Sequence, residues 1–195
     1  MASFNQDDAA IAGVYAQSLF DLAQAEGRAD DVHLELQQFA KLLDDHADFA
    51  RVVESPLVDL DARKALLEKA LRGNADDLVV NTLQVLNRKG RLPLVRAVVA
   101  EFSAIYKRTH GIVDVVVRTA IPLSAALRKR IEAVAARITG GTPSLTEEVD
   151  PSLLGGIVLL VGDRKYDASL AKDLHEVRQR LAVRSSRAAT ASITA

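Results

Sequence analysis

Paired carboxylates are the nearest this chain comes to catalytic chemistry, because two acids held at separated pKa values can serve as general acid and general base. Three clusters qualify by type and spacing: Asp44-Asp45-Asp48, Asp76-Asp77 and Glu147-Glu148-Asp150. Each reads more simply as loop or helix-start charge, and Asp76-Asp77 sits where the dipole of a following helix favours acids. His33, His46, His110 and His175 are far apart and show no HxxxH or HExxH spacing, which argues against a metal site. Gly140-Gly141 and Gly155-Gly156 lack the Lys-Ser/Thr of a phosphate-binding loop, and the second pair precedes a strand rather than a helix. No serine lies in a GxSxG elbow, and the absence of cysteine removes disulfides, thiol catalysis and thiolate metal sites. The basic residues Arg128, Lys129 and Arg130, and later Arg178, Arg180, Arg184 and Arg187, have no interleaved aromatics on which bases could stack. The sequence therefore assigns no catalytic, cofactor-binding or metal residue, and points to an interaction protein rather than an enzyme.

Composition agrees with that direction. Hydrophobic residues make up 49% of the chain and aromatics only 4%, with no Trp, which suits Ala-, Leu- and Val-rich helix packing better than a β-sandwich. The net charge of -1 provides no overall footprint for nucleic acid or anionic lipid. Charge is nonetheless uneven: residues 1–62 hold 13 acids against 3 bases, residues 63–110 hold 4 against 10, and residues 111–195 hold 9 against 12. An acidic first third fits a solvated face or a basic partner. No apolar run approaches the ~20 residues of a membrane span. The opening MASFNQDDAA has neither a basic nor an apolar region of a targeting signal, so an intracellular, soluble protein is expected.

The elements that must position any binding residue follow from periodicity. Ile11, Val14, Tyr15, Leu19 and Leu22 mark one face of a first helix stopped at Gly27, and Val32, Leu36, Phe39 and Leu43 mark a second. A third, near Ala47 to Glu54, ends before Pro56. A fourth starts at Asp59 or Asp61, with Leu66, Leu67, Ala70 and Leu71 inside, and closes at Gly73-Asn74. The fifth differs: Leu78, Val79, Val80, Leu83, Val85 and Leu86 spread around more than one side. Such a helix is either central in a bundle or carries a groove for a partner, and pattern alone favours the centre. A sixth uses Leu94, Val95, Val98, Phe102, Ile105 and Tyr106.

At His110-Gly111 the period changes. Ile112 to Val117 predicts a strand and Ser124 caps a helix from Ala125 to Ile138 with Leu127, Ile131, Val134 and Ile138 inward. Ser144 to Val149 predicts a second strand, and Ile157 to Val161 a buried one that turns at Gly162-Asp163 into a return strand over Lys165 to Asp167. A last helix follows, capped by Asp167 or Ser169, with Leu170, Leu174, Val177 and Leu181 on one face. The predicted fold is α+β: a six-helix N-terminal bundle over residues 1–108, a small α+β domain over 109–182, and a low-complexity tail over 183–195 expected to be disordered.

Three segments, in order, resemble the delta subunit of the bacterial F-type ATP synthase, the counterpart of the mitochondrial oligomycin sensitivity-conferring protein. They are Val14-Tyr15-Ala16-Gln17-Ser18-Leu19-Phe20-Asp21-Leu22-Ala23, then Leu86-Asn87-Arg88-Lys89-Gly90-Arg91-Leu92, and Gly155-Gly156-Ile157 through Val161-Gly162-Asp163 to Tyr166-Asp167-Ala168-Ser169-Leu170. The resemblance covers roughly residues 7–182 and departs from the family pattern at Leu159-Leu160 and Ala168. It implies a non-catalytic stator connector. The N-terminal domain would take N-terminal helices of the alpha subunits into an apolar groove, and the C-terminal domain would engage the b subunits of the peripheral stalk. The head would then resist rotation during proton-driven ATP synthesis. The implied location is the cytoplasmic face of the bacterial plasma membrane, peripheral to it, with no membrane insertion, no nucleic acid and no cofactor. The resemblance tips the fifth helix towards the groove reading, with Tyr15, Leu19, Val79, Leu83 and Leu86 as the candidate partner-binding residues. The alternative is an unrelated helical adaptor or regulator with an α+β dimerisation domain.

Overall fold

The computed structural model describes residues 6–55, 58–73, 75–172, 174, 175 and 178. Asn74, Val177, Leu181 and the tail over 183–195, on which the sequence sets expectations, lie outside them. The fold is mixed helix and sheet and divides into two compact units, Met1–His110 and Gly111–Ala195.

The first unit is helical: α1 (Gln6–Ala25), α2 (Ala29–Asp45), α3 (Ala47–Glu54), α4 (Leu60–Leu71), α5 (Asp77–Arg88) and α6 (Val95–Thr109), with a 3-10 turn over Leu92–Leu94. Helix starts follow local chemistry. Asp59 caps α4 by accepting from the Asp61 and Ala62 amides, and Asp76 caps α5 by accepting from Leu78 N at 2.8 Å. Asp76 is itself buried and ion-paired with Arg28, while its own amide donates to Glu35 Oε2 at 2.6 Å, so one residue ties the α1–α2 turn, α2 and the α5 start together. Val32, Leu36, Phe39 and Leu43 are buried as α2's spacing requires. In α4 the buried stripe is Arg63, Leu67 and Leu71, whereas Leu66 is half-buried and Ala70 exposed. Arg63 is tolerated inside because its Nη1 donates to Ser55 O at 3.0 Å, just past the end of α3.

Helix α1 buries a stripe largely other than the one its apolar spacing marks. Its core face is Ala12, Ala16, Leu19, Phe20 and Ala23, packed chiefly on α6, and the small alanines allow that close approach. Of the five residues that mark one apolar face of this helix in the sequence, only Leu19 is fully buried; Val14 and Leu22 stand exposed, and Ile11 and Tyr15 are half-buried.

The second unit carries one sheet in the order β2-β1-β3-β4, with β1 (Ile112–Thr119) parallel to β2 (Thr142–Val149) and antiparallel to β3 (Gly156–Val161), which pairs antiparallel with β4 (Arg164–Ser169). The β1-to-β2 crossover is α7 (Ala125–Thr139), capped by Ser124, whose Oγ accepts from Leu127 N. Val115, Val117 and Leu159 on the sheet meet Ile131 and Ala135 on α7. Leu127, Val134 and Ile138 are exposed rather than inward, because the stripe of α7 that meets the sheet is the one through Ile131 and Ala135. Gly156, at φ +82, approaches the backbone of Ala168 and Ser169 so closely that no Cβ fits. The turn at Gly162-Asp163 joins paired Val161 and Arg164. Past β4, Ser169 accepts from Lys172 N at 3.3 Å, which makes it the cap of the helical residues that begin at Leu170.

Candidate functional site

Most of the carboxylates first considered for acid–base work are engaged in structural contacts. Asp44 pairs with Arg96, Glu147 accepts from Arg128 at 2.6 Å, Glu148 accepts from Arg118 at 2.6 Å, and Asp150 caps the 3-10 turn over Pro151–Leu153. Serine contacts lower the Asp150 pKa, and Lys165 and Ser169 bring that of Asp167 to about 2.

The open feature of the first unit is an apolar groove of about 580 Å³ between α1 and α5. On α1 it is lined by Ile11, Val14, Tyr15, Ser18, Leu19 and Leu22, and on α5 by Leu78, Asn81, Thr82 and Val85, with Arg91 at one end. Both sets recur at three- and four-residue steps, so each is one helical stripe. Val14 is 67% and Leu22 55% exposed, about two turns apart along the α1 wall of the groove. The groove's hydroxyls turn back on their own helices: Ser18 Oγ donates to Val14 O at 2.9 Å, and Thr82 Oγ1 donates to Leu78 O at 2.8 Å. They add little unpaired polarity to the walls.

Helical geometry accounts for the way α5 divides. At about 100° per residue its surface splits into three stripes roughly a third of a turn apart. Leu78, Asn81, Thr82 and Val85 face the groove; Val79, Leu83 and Leu86 face the core; Gln84 and Asn87 face α4, donating to Lys64 O at 3.2 Å and Leu60 O at 2.9 Å. The five expected groove residues therefore separate. Tyr15 and Leu19 line the groove, whereas Val79, Leu83 and Leu86 are fully buried behind it and do not. Val79 borders instead a smaller hollow of about 220 Å³ beside Phe39 and Leu71. The signal that identifies the true lining is present in the sequence as a second apolar stripe on α1, offset from the alanines. It is recognisable only once the alanines are seen to be the core.

The second unit has its own apolar cleft, about 540 Å³, between the β1–α7 connection and the start of β3. Ile121, 73% exposed, and Leu154, 69% exposed and held at φ 60, stand at its edges with Leu127 and Gly155.

Among the described residues no helix is long and apolar enough to cross a membrane. Residues 11–181 match the family model described as ATP synthase delta (OSCP) subunit. The chain is 36% identical over 164 residues to the ATP synthase subunit delta of Hyphomonas neptunium, covering 84% of this chain and 91% of that one. It is 34% identical over 172 residues to that of Desulfitobacterium hafniense, covering 88% and 96%. Among solved structures, a chain of the Toxoplasma gondii mitochondrial ATP synthase hexamer aligns with a TM-score of 0.67 at 25% identity, covering 87% of this chain and 96% of its own. With the fold, the groove and these matches together, the chain belongs to the ATP synthase delta (OSCP) subunit family, non-catalytic components of the peripheral stalk of F-type ATP synthases.

Proposed function

We propose that this subunit joins the catalytic head to the stalk through two separate surfaces, one on each unit. The N-terminal domain, the helical bundle over residues 1–108, receives N-terminal helices of the alpha subunits in the α1–α5 groove. The observation that carries this reading is the open apolar trough with Val14 and Leu22 unburied, the shape and chemistry that an amphipathic helix fills. Tyr15 and Leu19 contact the partner directly, and Val79, Leu83 and Leu86 act from behind by holding α5 in place. The C-terminal domain, residues 109–182, engages the b subunits, and its cleft beside Ile121 and Leu154 is the apolar surface available for that contact. Bridging the two keeps the head from turning with the rotor during proton-driven ATP synthesis. The complex places the chain peripherally at the cytoplasmic face of the bacterial plasma membrane.

Two measurements test this. Titration calorimetry of the purified chain with a synthetic alpha-subunit N-terminal peptide is expected to show saturable binding with a negative heat-capacity change, the mark of apolar burial. Pull-down from detergent-solubilised membranes is expected to bring alpha and b subunits together with the chain. A chain that travels without them overturns the connector reading.

A further inference from the structure

The two walls of the groove belong to different helix pairs: α1 packs chiefly on α6, and α5 chiefly on α4. Apolar attraction between the pairs is non-directional, so the placement of α5's first turn against α1 and α2 rests on polar ties. Asp76, the residue before α5, carries them. Its Oδ1 accepts from Leu78 N at 2.8 Å, its Oδ2 meets the Arg28 guanidinium, and its own amide donates to Glu35 Oε2 at 2.6 Å. The Asp76 side chain is 1% exposed, so these charge-assisted contacts are little screened. Arg28 is fixed in turn to the end of α1, its amide donating to Ala23 O at 2.8 Å, while its carbonyl accepts from Val32 N at 3.0 Å as α2 begins.

Arg28, Glu35 and Asp76 are absent from the groove's lining, so none of them is part of the surface offered to a partner. On another side of the same turn there is room. The hollow of about 220 Å³ is bounded by Glu35, Phe39 and Leu42 on α2, Leu71 on α4, and Ala75 and Val79. Leu78 lines the groove and Val79 the hollow, two neighbours about 100° apart on the helix, so the first turn of α5 stands between two open spaces. A shift of this turn changes the width of the groove at its Leu78 end, and the contacts of Asp76 with Glu35 and Arg28 oppose that shift from two elements at once.

We propose that Asp76, tied to Glu35 and Arg28, is a positioning residue of the groove: it acts through α5, off the binding surface, and holds the Leu78 end at the width that a partner helix fills. The proposal rests on the groove receiving an alpha-subunit helix. A receptor already held in its bound shape loses none of its binding free energy to ordering itself. When the competent width is populated only in part, the apparent affinity falls by that fraction.

The test combines titration calorimetry with amide hydrogen exchange on the full chain. Glu35→Ala removes the acceptor of the Asp76 amide, and Glu35→Gln keeps one. Against the synthetic alpha-subunit N-terminal peptide, Glu35→Ala is expected to weaken binding roughly three- to tenfold, with Glu35→Gln within about twofold of wild type. In the free Glu35→Ala chain the Leu78 and Val80 amides are expected to exchange at least about tenfold faster while those of Phe102 and Ile105 in α6 keep their rates, and bound peptide is expected to restore the protection. A merely structural role would accelerate all four amides together. Should Glu35→Ala fail to give the wild-type circular dichroism, Arg28→Gln, made at a side chain 45% exposed, decides by the same two readouts. If exchange accelerates uniformly across α5 and α6, or if the folded variant binds the peptide as wild type does, the proposal falls while the groove reading stands. If the peptide does not bind the wild-type chain, both fall.

Discussion

At the scale of single residues, His33 shows how burial and charge set a titration. Its ring stacks on Tyr106 at 4.0 Å between centroids, and Tyr106 stacks on His110 at 4.1 Å. Tyr106 donates to Asp30 Oδ1 at 2.8 Å, which raises the phenol's pKa, and the same oxygen lies 3.8 Å from His110 Nε2. Burial first, then Lys107 and His110, lower the pKa of His33 from 6.5, against the opposing pull of Asp30. The folded state thus binds a proton at His33 less readily than the unfolded chain does. Stability contributed by this site is complete above pH 6.5, declines as pH falls through that value, and levels off once the lowered folded-state pKa has been passed. A His33→Phe chain is expected to keep the ring stack and to lose that segment of the melting-temperature profile; an unchanged profile would remove His33 as its cause. Gly156 illustrates backbone constraint instead. At φ +82 and against the Ala168 carbonyl, Gly156→Ala is expected to destabilise the second unit by more than the ~1–2 kcal/mol of the left-handed conformation alone. Chemical denaturation followed by circular dichroism would measure it, and a shift under ~1 kcal/mol would mean that the strand gives way without strain.

At the scale of elements, α1 and α5 each serve two or three environments at once, and that division makes their residues separable by experiment. Val85 faces the groove and Leu83, two residues earlier, lies at 1% exposure in the core. Val85→Asp is expected to leave the helical circular dichroism and melting temperature near wild type while weakening the alpha-subunit peptide by at least about tenfold, since the carboxylate would be desolvated on binding. Leu83→Ala is expected to act through the fold, costing about 2–5 kcal/mol of stability, with any binding loss following from unfolding. Equal behaviour of the two variants would contradict the three-stripe division of α5. Periodicity marks Ile11, Val14, Tyr15, Leu19 and Leu22 as one apolar face of α1 and cannot say whether that face is core or groove. The alanine stripe that actually meets α6 is less hydrophobic per residue, so it is passed over. In α2, by contrast, there is only one stripe, Val32, Leu36, Phe39 and Leu43, and periodicity locates the core directly.

At the scale of the whole molecule, the chain divides at His110/Gly111 into units with separate hydrophobic cores. A fragment ending at His110 is therefore expected to unfold in a single cooperative transition and to bind the alpha-subunit peptide with the affinity of the full chain. A fragment that is non-cooperative or unable to bind would show that the second unit completes the first. By itself the sequence determined the character of the protein and the position of many local elements. The change from helical to β-branched patterning at Gly111 begins the sheet, and Ser124, the pair Asp59 and Asp61, and Gly162-Asp163 mark caps and a turn, because these signals are local and act through the nearest few peptide bonds. Its three ordered motifs also pointed to the delta family. Only the tertiary structure decided which apolar stripe was core and which was open, moving Val79, Leu83 and Leu86 behind the groove and bringing Leu78, Thr82, Val85 and Arg91 to it. The physical reason is that an apolar side chain carries no mark of what will cover it: burial depends on where α6 and α4 come to lie, and that is settled by packing among residues distant in sequence.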